Sequence, residues 1–438
     1  MLANASVLLR RVRLAAPLLV LLLAVVLAPV LAQVNLQTTR EQQLDLVQQR
    51  TSSLRELETT DPIRRVFMRR DELRDYYEKT FLEENPIEDL ENSQYLLEVL
   101  GYIQPGEDII KILLDVLGEE VLGFYDRETK SIYVISDGDG LSPAASITMA
   151  HEFTHSLQDQ HFDLTKGFAD RKDNNDRSLA YQALVEGDAV LLQSVYSLRH
   201  LSESERRRMY ESEEVQAQAR AIETAPLVLQ RELYFPYEEG TNFVLKPYLD
   251  GSWPSVNQLW TRPPESTEQI LHPEKYQANE GPISVELPDM AAATGPEWRK
   301  LTEDTLGELD TRILIEQYVE MSTAIRAASG WGGDRFHLIR RDRDGALGYQ
   351  ARTVWDSETD AIEFFNAYRQ VVEGRHGPAL QPIDASPFLQ ARPTSRTPNE
   401  SWAGTAGSWH HAIVRDGATV AIVTATDSAP LNAINLLW

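Results

Sequence analysis

Two histidines four residues apart enclose a glutamate in His151-Glu152-Phe153-Thr154-His155. On a helix, that spacing puts both imidazoles on one face, about one turn apart. Two neutral imidazoles so placed can bind one zinc ion at about 2 Å each. Glu152 lies at the edge of the same face. It can reach a metal-bound water without being a ligand, accept the proton that the water loses, and later deliver it to a leaving amine. The chemistry expected is hydrolysis of a peptide bond, with a peptide or protein as substrate. Histidine is sparse in this chain, 9 in 438 residues, so chance supplies only about 0.02 such motifs.

A catalytic zinc site takes three protein ligands and keeps one position open. Two residues are candidates for the third ligand. His161 follows His155 at the spacing of the metzincin pattern HExxHxxGxxH. The glycine of that pattern breaks the helix so that the last histidine can swing back, but here Gln158 stands in its place. On a continuing helix, His161 falls roughly 80° off the ligand face. The other candidate is Glu186, in Ala183-Leu184-Val185-Glu186-Gly187-Asp188-Ala189-Val190. Two carboxylates in the middle of an apolar helix are costly unless paired or bound to metal. Asp188 is a candidate to orient a ligand histidine.

The transition state of peptide hydrolysis carries an oxyanion, which a Tyr or His donor stabilises. Tyr237, in Leu233-Tyr234-Phe235-Pro236-Tyr237-Glu238, and His272, in Glu268-Gln269-Ile270-Leu271-His272-Pro273, are the candidates. Glu268 is a candidate to orient His272.

The elements that must carry these residues are legible. Ser142-Pro143 reads as an N-cap followed by Pro at the first helical position, opening a helix that runs to about Phe162. A second helix is expected from about Arg177 to Leu198. Gly123 to Ile135 reads as a hairpin around Asp126-Arg127-Glu128-Thr129-Lys130. Asp61-Pro62 reads as another helix start. Beyond about residue 285 the pattern changes. A helix is expected from Thr305 to Ile325, strands at 335–340 and 347–355, a helix at 357–374, and strands at 408–415 and 418–424. The expected fold is α+β: a mainly helical, zincin-like unit with a small sheet over residues 105–280, then a smaller α+β domain over 285–438. A helical region over 33–104 precedes them.

Composition narrows the function. The chain has no cysteine, which excludes disulfides, thiol nucleophiles and Cys-based metal sites. A formal net charge of −25 disfavours nucleic-acid binding. Arg10, Arg11 and Arg13 precede an apolar run from Leu14 to Ala32, and Pro29-Val30-Leu31-Ala32-Gln33 resembles a signal-peptidase site. Residues 1–32 therefore read as a signal peptide or an N-terminal membrane anchor. The remainder is expected outside the cytoplasm, secreted or membrane-attached.

HEFTH, then ALVEGDA some 30 residues on, resembles the gluzincins, the peptidase MA-like or thermolysin-type clan of zinc metallopeptidases, over about residues 120–275. The resemblance implies one Zn2+ held by His151, His155 and Glu186, with Glu152 as general base. It also implies that the strand before the motif helix aligns the substrate backbone by β-augmentation. Thermolysin-type enzymes carry an Asp four residues after the third ligand, where this chain has Val190. Two rival expectations stand beside a gluzincin peptidase: a metzincin-like enzyme using His161, and a non-catalytic zinc-containing envelope scaffold or binding protein.

Overall fold

The computed structural model describes residues 39–69, 72–73, 76, 86–112, 122–135, 140–211, 220, 222–389 and 398–437. The N-terminal apolar run and the cleavage-site reading lie outside these residues. Among the described residues, no helix is long and apolar enough to cross a membrane.

Thr39 caps helix α1 (Arg40–Arg55) through a reciprocal capping box with Gln42. Leu44 and Val47 of α1 are buried against Ile147 and Phe153 of the motif helix. The expected helix start at Asp61-Pro62 is corrected by the structure. The chain enters strand β1 (Arg64–Met68), which runs parallel to β3 (Ser131–Ile135) in a three-stranded sheet of order β1-β3-β2. Pro fixes φ at a value that extended chain also accepts, and Val66-Phe67-Met68 favours a pleated, half-buried surface. Helix α2 (Ile87–Leu100) follows and ends at Gly101.

The hairpin forms as expected. Strand β2 (Gly123–Asp126) pairs antiparallel with β3. Ile135 N–H bonds the Leu122 carbonyl at 3.0 Å, so the even-numbered residues of β2 turn their backbone groups toward β3. The odd-numbered residues turn theirs away. Helix α3 (Pro143–Phe162) starts where Ser142 accepts a hydrogen bond from Ala145 N–H. Helix α4 (Asn175–His200) starts where Asn174 accepts one from Arg177 N–H.

Residues 227–261, a mixed aromatic stretch in the sequence, form one long helix, α5 (Leu227–Thr261), kinked at Gly251 and Ser252. Pro254 sits in the first turn beyond the kink, where a missing N–H costs little. At Gly187 the backbones of α4 and α5 touch: a Cβ there would lie 2.1 Å from the Gly240 carbonyl oxygen. The converse also holds, since a Cβ at Gly240 would lie 2.1 Å from the Ala183 carbonyl oxygen.

The C-terminal part is a seven-stranded antiparallel sheet in the order β4-β5-β6-β10-β9-β8-β7. Its strands are β4 (Trp298–Asp304), β5 (Trp331–Arg341), β6 (Leu347–Trp355), β7 (Gln381–Ile383), β8 (Glu400–Ala406), β9 (Trp409–Asp416) and β10 (Thr419–Ala425). The helix expected from Thr305 to Ile325 is two helices, α6 (Gly307–Glu316) and α7 (Met321–Ala328). The strand expected at 335–340 begins earlier, at Trp331. Alternation along β9 and β10 sends Ile413, Val420 and Ile422 toward α8 (Glu358–His376) and the main core. It sends Ala412, Val414, Ala421 and Val423 toward the C-terminal Leu431 and Ile434. The main apolar core runs without a break from Leu184 and Phe243 to Trp331 and Phe364.

Candidate metal centre

Helices α3 and α4 pack on each other and bring three side chains together. His151 Nε2 lies 2.9 Å from His155 Nε2, and Glu186 Oε2 lies 3.3 Å from the first and 3.6 Å from the second. All three residues are fully buried. The outward nitrogens are taken. His155 Nδ1 is 2.8 Å from Gln158 Oε1, and Gln158 Nε2 donates to the Val185 carbonyl at 2.9 Å, which fixes the amide's orientation. His151 Nδ1 is 3.0 Å from Gln193 Oε1. A carbonyl oxygen only accepts, so both Nδ1 atoms donate and both Nε2 atoms present lone pairs. Two imidazole nitrogens and a carboxylate therefore converge on one point.

That arrangement could hold a cation. With bonds of 2.0–2.1 Å in a tetrahedron, two ligands of one ion stand roughly 3.3 Å apart, and the observed spacings of 2.9, 3.3 and 3.6 Å bracket this value. Burial pushes the Glu186 carboxyl up, but His155 and His151 outweigh it and hold Glu186 down at about 2. Burial pulls His155 down, but Glu186 outweighs it and the net shift is upward. His151, for which burial dominates, is shifted down. These directions keep the negative charge on Glu186 and favour the charged form of His155 beside it.

Glu152 is also fully buried. Its Oε2 accepts the Tyr125 backbone N–H at 2.7 Å, and its Oε1 has no hydrogen-bond partner. Tyr125 is one of the residues of β2 whose backbone faces away from β3, so the hairpin edge lies against the motif. Burial pushes the Glu152 carboxyl up to about 8. Tyr237, one turn before Gly240 on α5, stacks its ring on that of His151, with centroids 6.4 Å apart. Its hydroxyl is buried without a partner. Burial first, and then the Glu186 and Glu152 carboxylates, raise its pKa and keep it protonated.

The remaining sequence candidates lie elsewhere. His161 is exposed at the end of α3, and its Nε2 bonds the Glu58 carbonyl at 2.7 Å. The helix continues through Gln158, so nothing swings His161 back toward His151 and His155. His272 bonds Glu308 Oε1 at 2.8 Å, and no ring contact, hydrogen bond or ion pair among the described residues connects it with the His–Glu group. Glu268 does not orient His272; it pairs with Lys275 at 2.6 Å. Glu268, Glu280 and Asp356 form a second cluster of carboxylates, but Lys275 Nζ lies within 3.0 Å of all three and supplies the cation.

Asp188 does not orient a ligand histidine either. Two residues beyond Glu186 it points roughly 200° around the helix. There it holds Arg55 at 2.8 and 2.9 Å and accepts Trp260 Nε1–H at 3.2 Å. Gln158 and Gln193 are the side chains that bond His155 and His151 instead. Helical periodicity carries a signal for both: Gln158 is seven residues after His151, and Gln193 is seven after Glu186.

Residues 297–435 match a domain of unknown function, DUF8575. The matched stretch covers the seven-stranded sheet and lies wholly outside the His–Glu group. No curated protein and no solved structure matches the chain.

Proposed function

We propose that the protein is a zinc-dependent peptidase of gluzincin type, acting outside the cytoplasm, with His151, His155 and Glu186 as metal ligands. The observation that carries this reading is the convergence of two imidazole lone pairs and a carboxylate on one buried point. The two-nitrogen, one-oxygen donor set suits zinc and matches that of hydrolytic zinc sites with one open position. Zinc bound there supplies Lewis acidity toward a water molecule and the scissile carbonyl.

The chain's own residues do the rest. Gln158 and Gln193 hold both histidines in the tautomer that offers Nε2. Glu152 is anchored at Oε2 by the Tyr125 N–H, which leaves Oε1 free to take a proton and return it to the leaving amine. The Tyr237 hydroxyl, protonated and unpartnered, is available to donate to the developing oxyanion. Full burial excludes bulk water and strengthens each of these interactions.

Three variants test the assignment together. Glu152→Gln is expected to retain one zinc per chain while hydrolysis of a generic protein substrate is lost. Glu186→Ala is expected to lose zinc, and His161→Ala to keep it. Hydrolysis surviving in Glu152→Gln refutes the mechanism. A fully zinc-loaded wild type that cleaves nothing in a broad peptide library favours the scaffold reading.

A further inference from the structure

The centre draws its ligands from two helices, so its geometry depends on what sets the distance between them. His151 and His155 are on α3 and Glu186 is on α4. Helix α1 packs against both. It meets α3 through Leu44 and Val47, which are buried with Ile147 and Phe153. It meets α4 through Arg55, the last residue of α1, which is fully buried.

The guanidinium of Arg55 grips Asp188 in a two-pronged contact, Nε to Oδ1 at 2.8 Å and Nη2 to Oδ2 at 2.9 Å. Nη2 also bonds Asn257 Oδ1 at 2.8 Å, and the group lies over the Trp253 ring at 4.5 Å. Asp188 is tied further to Trp260. Asn257, Trp253 and Trp260 all belong to α5. One buried arginine thus fastens the end of α1 to α4 and α5 together, on the side of α4 opposite Glu186. A two-pronged arginine–carboxylate pair fixes orientation as well as distance.

Resting on the zinc reading above, we propose that Arg55 and Asp188 form a positioning clamp for the metal centre, holding the Glu186 helix at the spacing that the two histidines require. Helices α1, α3 and α4 make a closed triangle: α1 is seated on α3 by apolar side chains and locked to α4 by the clamp. Releasing the clamp frees one side of the triangle, and the α3–α4 separation is then held only by their direct packing.

Removing one partner of a buried ion pair leaves an uncompensated charge, so the informative variant replaces both. Arg55→Met combined with Asp188→Leu removes both charges together and is expected to fold. On the full chain, Zn2+ affinity is measured by chelator competition, and site geometry by the visible spectrum of the Co2+ form. The double variant is expected to bind Zn2+ about tenfold to a hundredfold more weakly, the usual effect of losing a group that orients ligands, with an altered Co2+ spectrum. If the double variant fails to fold, Arg55→Lys asks the same question, since it keeps the charge without the fork. A variant that is folded yet binds Zn2+ as the wild type does, with the same Co2+ spectrum, overturns the clamp and makes the pair a stability element alone. A wild-type chain that takes up no Zn2+ overturns the metal assignment itself, and the clamp with it.

Discussion

Gly187→Ala is the sharpest probe of how the site is built, because two opposing effects of known size decide its outcome. Alanine is the better helix former, and the change alone would stabilise α4 by about 1 kcal/mol. The new methyl group, however, would sit 2.1 Å from the Gly240 carbonyl oxygen, 2.2 Å from its carbonyl carbon and 2.8 Å from Thr241 N. Ordinary contact begins near 3.4 Å, so α5 has to retreat by about 3.4 − 2.1 = 1.3 Å. The obstacle is backbone, which cannot rotate away. Overpacking of this kind costs roughly 1–3 kcal/mol, and with no flexible side chain to absorb it the upper end applies, for a net loss of about 2 kcal/mol. On the proposed peptidase reading, the catalytic consequence is larger. Tyr237 rides on α5 one turn from the contact, and a displacement near 1 Å costs about a hundredfold in rate. Urea unfolding reads the first effect, and kcat on a peptide substrate at saturating Zn2+ reads the second. A variant more stable than wild type by about 1 kcal/mol, the gain that helix propensity alone predicts, would show that the helices have room and would refute the argument.

Two further outcomes follow from particular side chains. On the proposed zinc-peptidase reading, Tyr237→Phe is expected to lower kcat by about 10²–10³, the usual loss of one oxyanion donor, with Zn2+ affinity unchanged. An equal loss of both would place the ring, and not the hydroxyl, at fault. Asp334 gives a pH dependence. Burial, outweighing the Leu306, Gly307 and Trp331 N–H donors, raises its carboxyl from 3.8 to about 6. The folded state then holds a proton that the unfolded state has released. This contribution is complete below about pH 4 and is lost as pH rises to about 6, on the order of 3 kcal/mol in all. Asp334→Asn is therefore expected to show a shallower fall in stability between pH 4 and 6, measured by denaturant unfolding at each pH; an unchanged slope counts against a neutral Asp334.

The parts of the site that share a helix were readable. His151, Glu152 and His155 announce themselves by spacing, and Glu186 by a carboxylate in an apolar run. Their helices were legible because Ser142-Pro143 and the apolar periodicity are local signals. The partners of Asp188 were not, since Arg55 is 133 residues away and nothing near it in sequence marks it as buried. The Asp61-Pro62 signal misled because proline's fixed φ serves extended chain as well as a helix's first turn, and β3 offered an edge to join. Three prolines hid the length of α5: Pro254 follows the kink at Gly251 and Ser252, while Pro236 and Pro247 lie within the helix before it. In the C-terminal part, the helix-to-strand rhythm was clear, but the order of strands depends on pairings across tens of residues. The placement of β10 between β6 and β9 is one of these.

Backbone contact at Gly187 and Gly240 makes α4 and α5 a single stiff beam. Helices slide over one another by repacking side chains, and at this crossing there are none to repack. Glu186 and Tyr237 are both mounted on the beam, close to the Gly187–Gly240 contact. His151, Glu152, His155 and Glu186 are fully covered, so on the proposed peptidase reading a substrate reaches them only when something yields. Parting the beam from α3 would pull Glu186 off its histidines. Among the described elements, the β2–β3 hairpin, fastened to Glu152 by the Tyr125 N–H, carries none of the three converging groups.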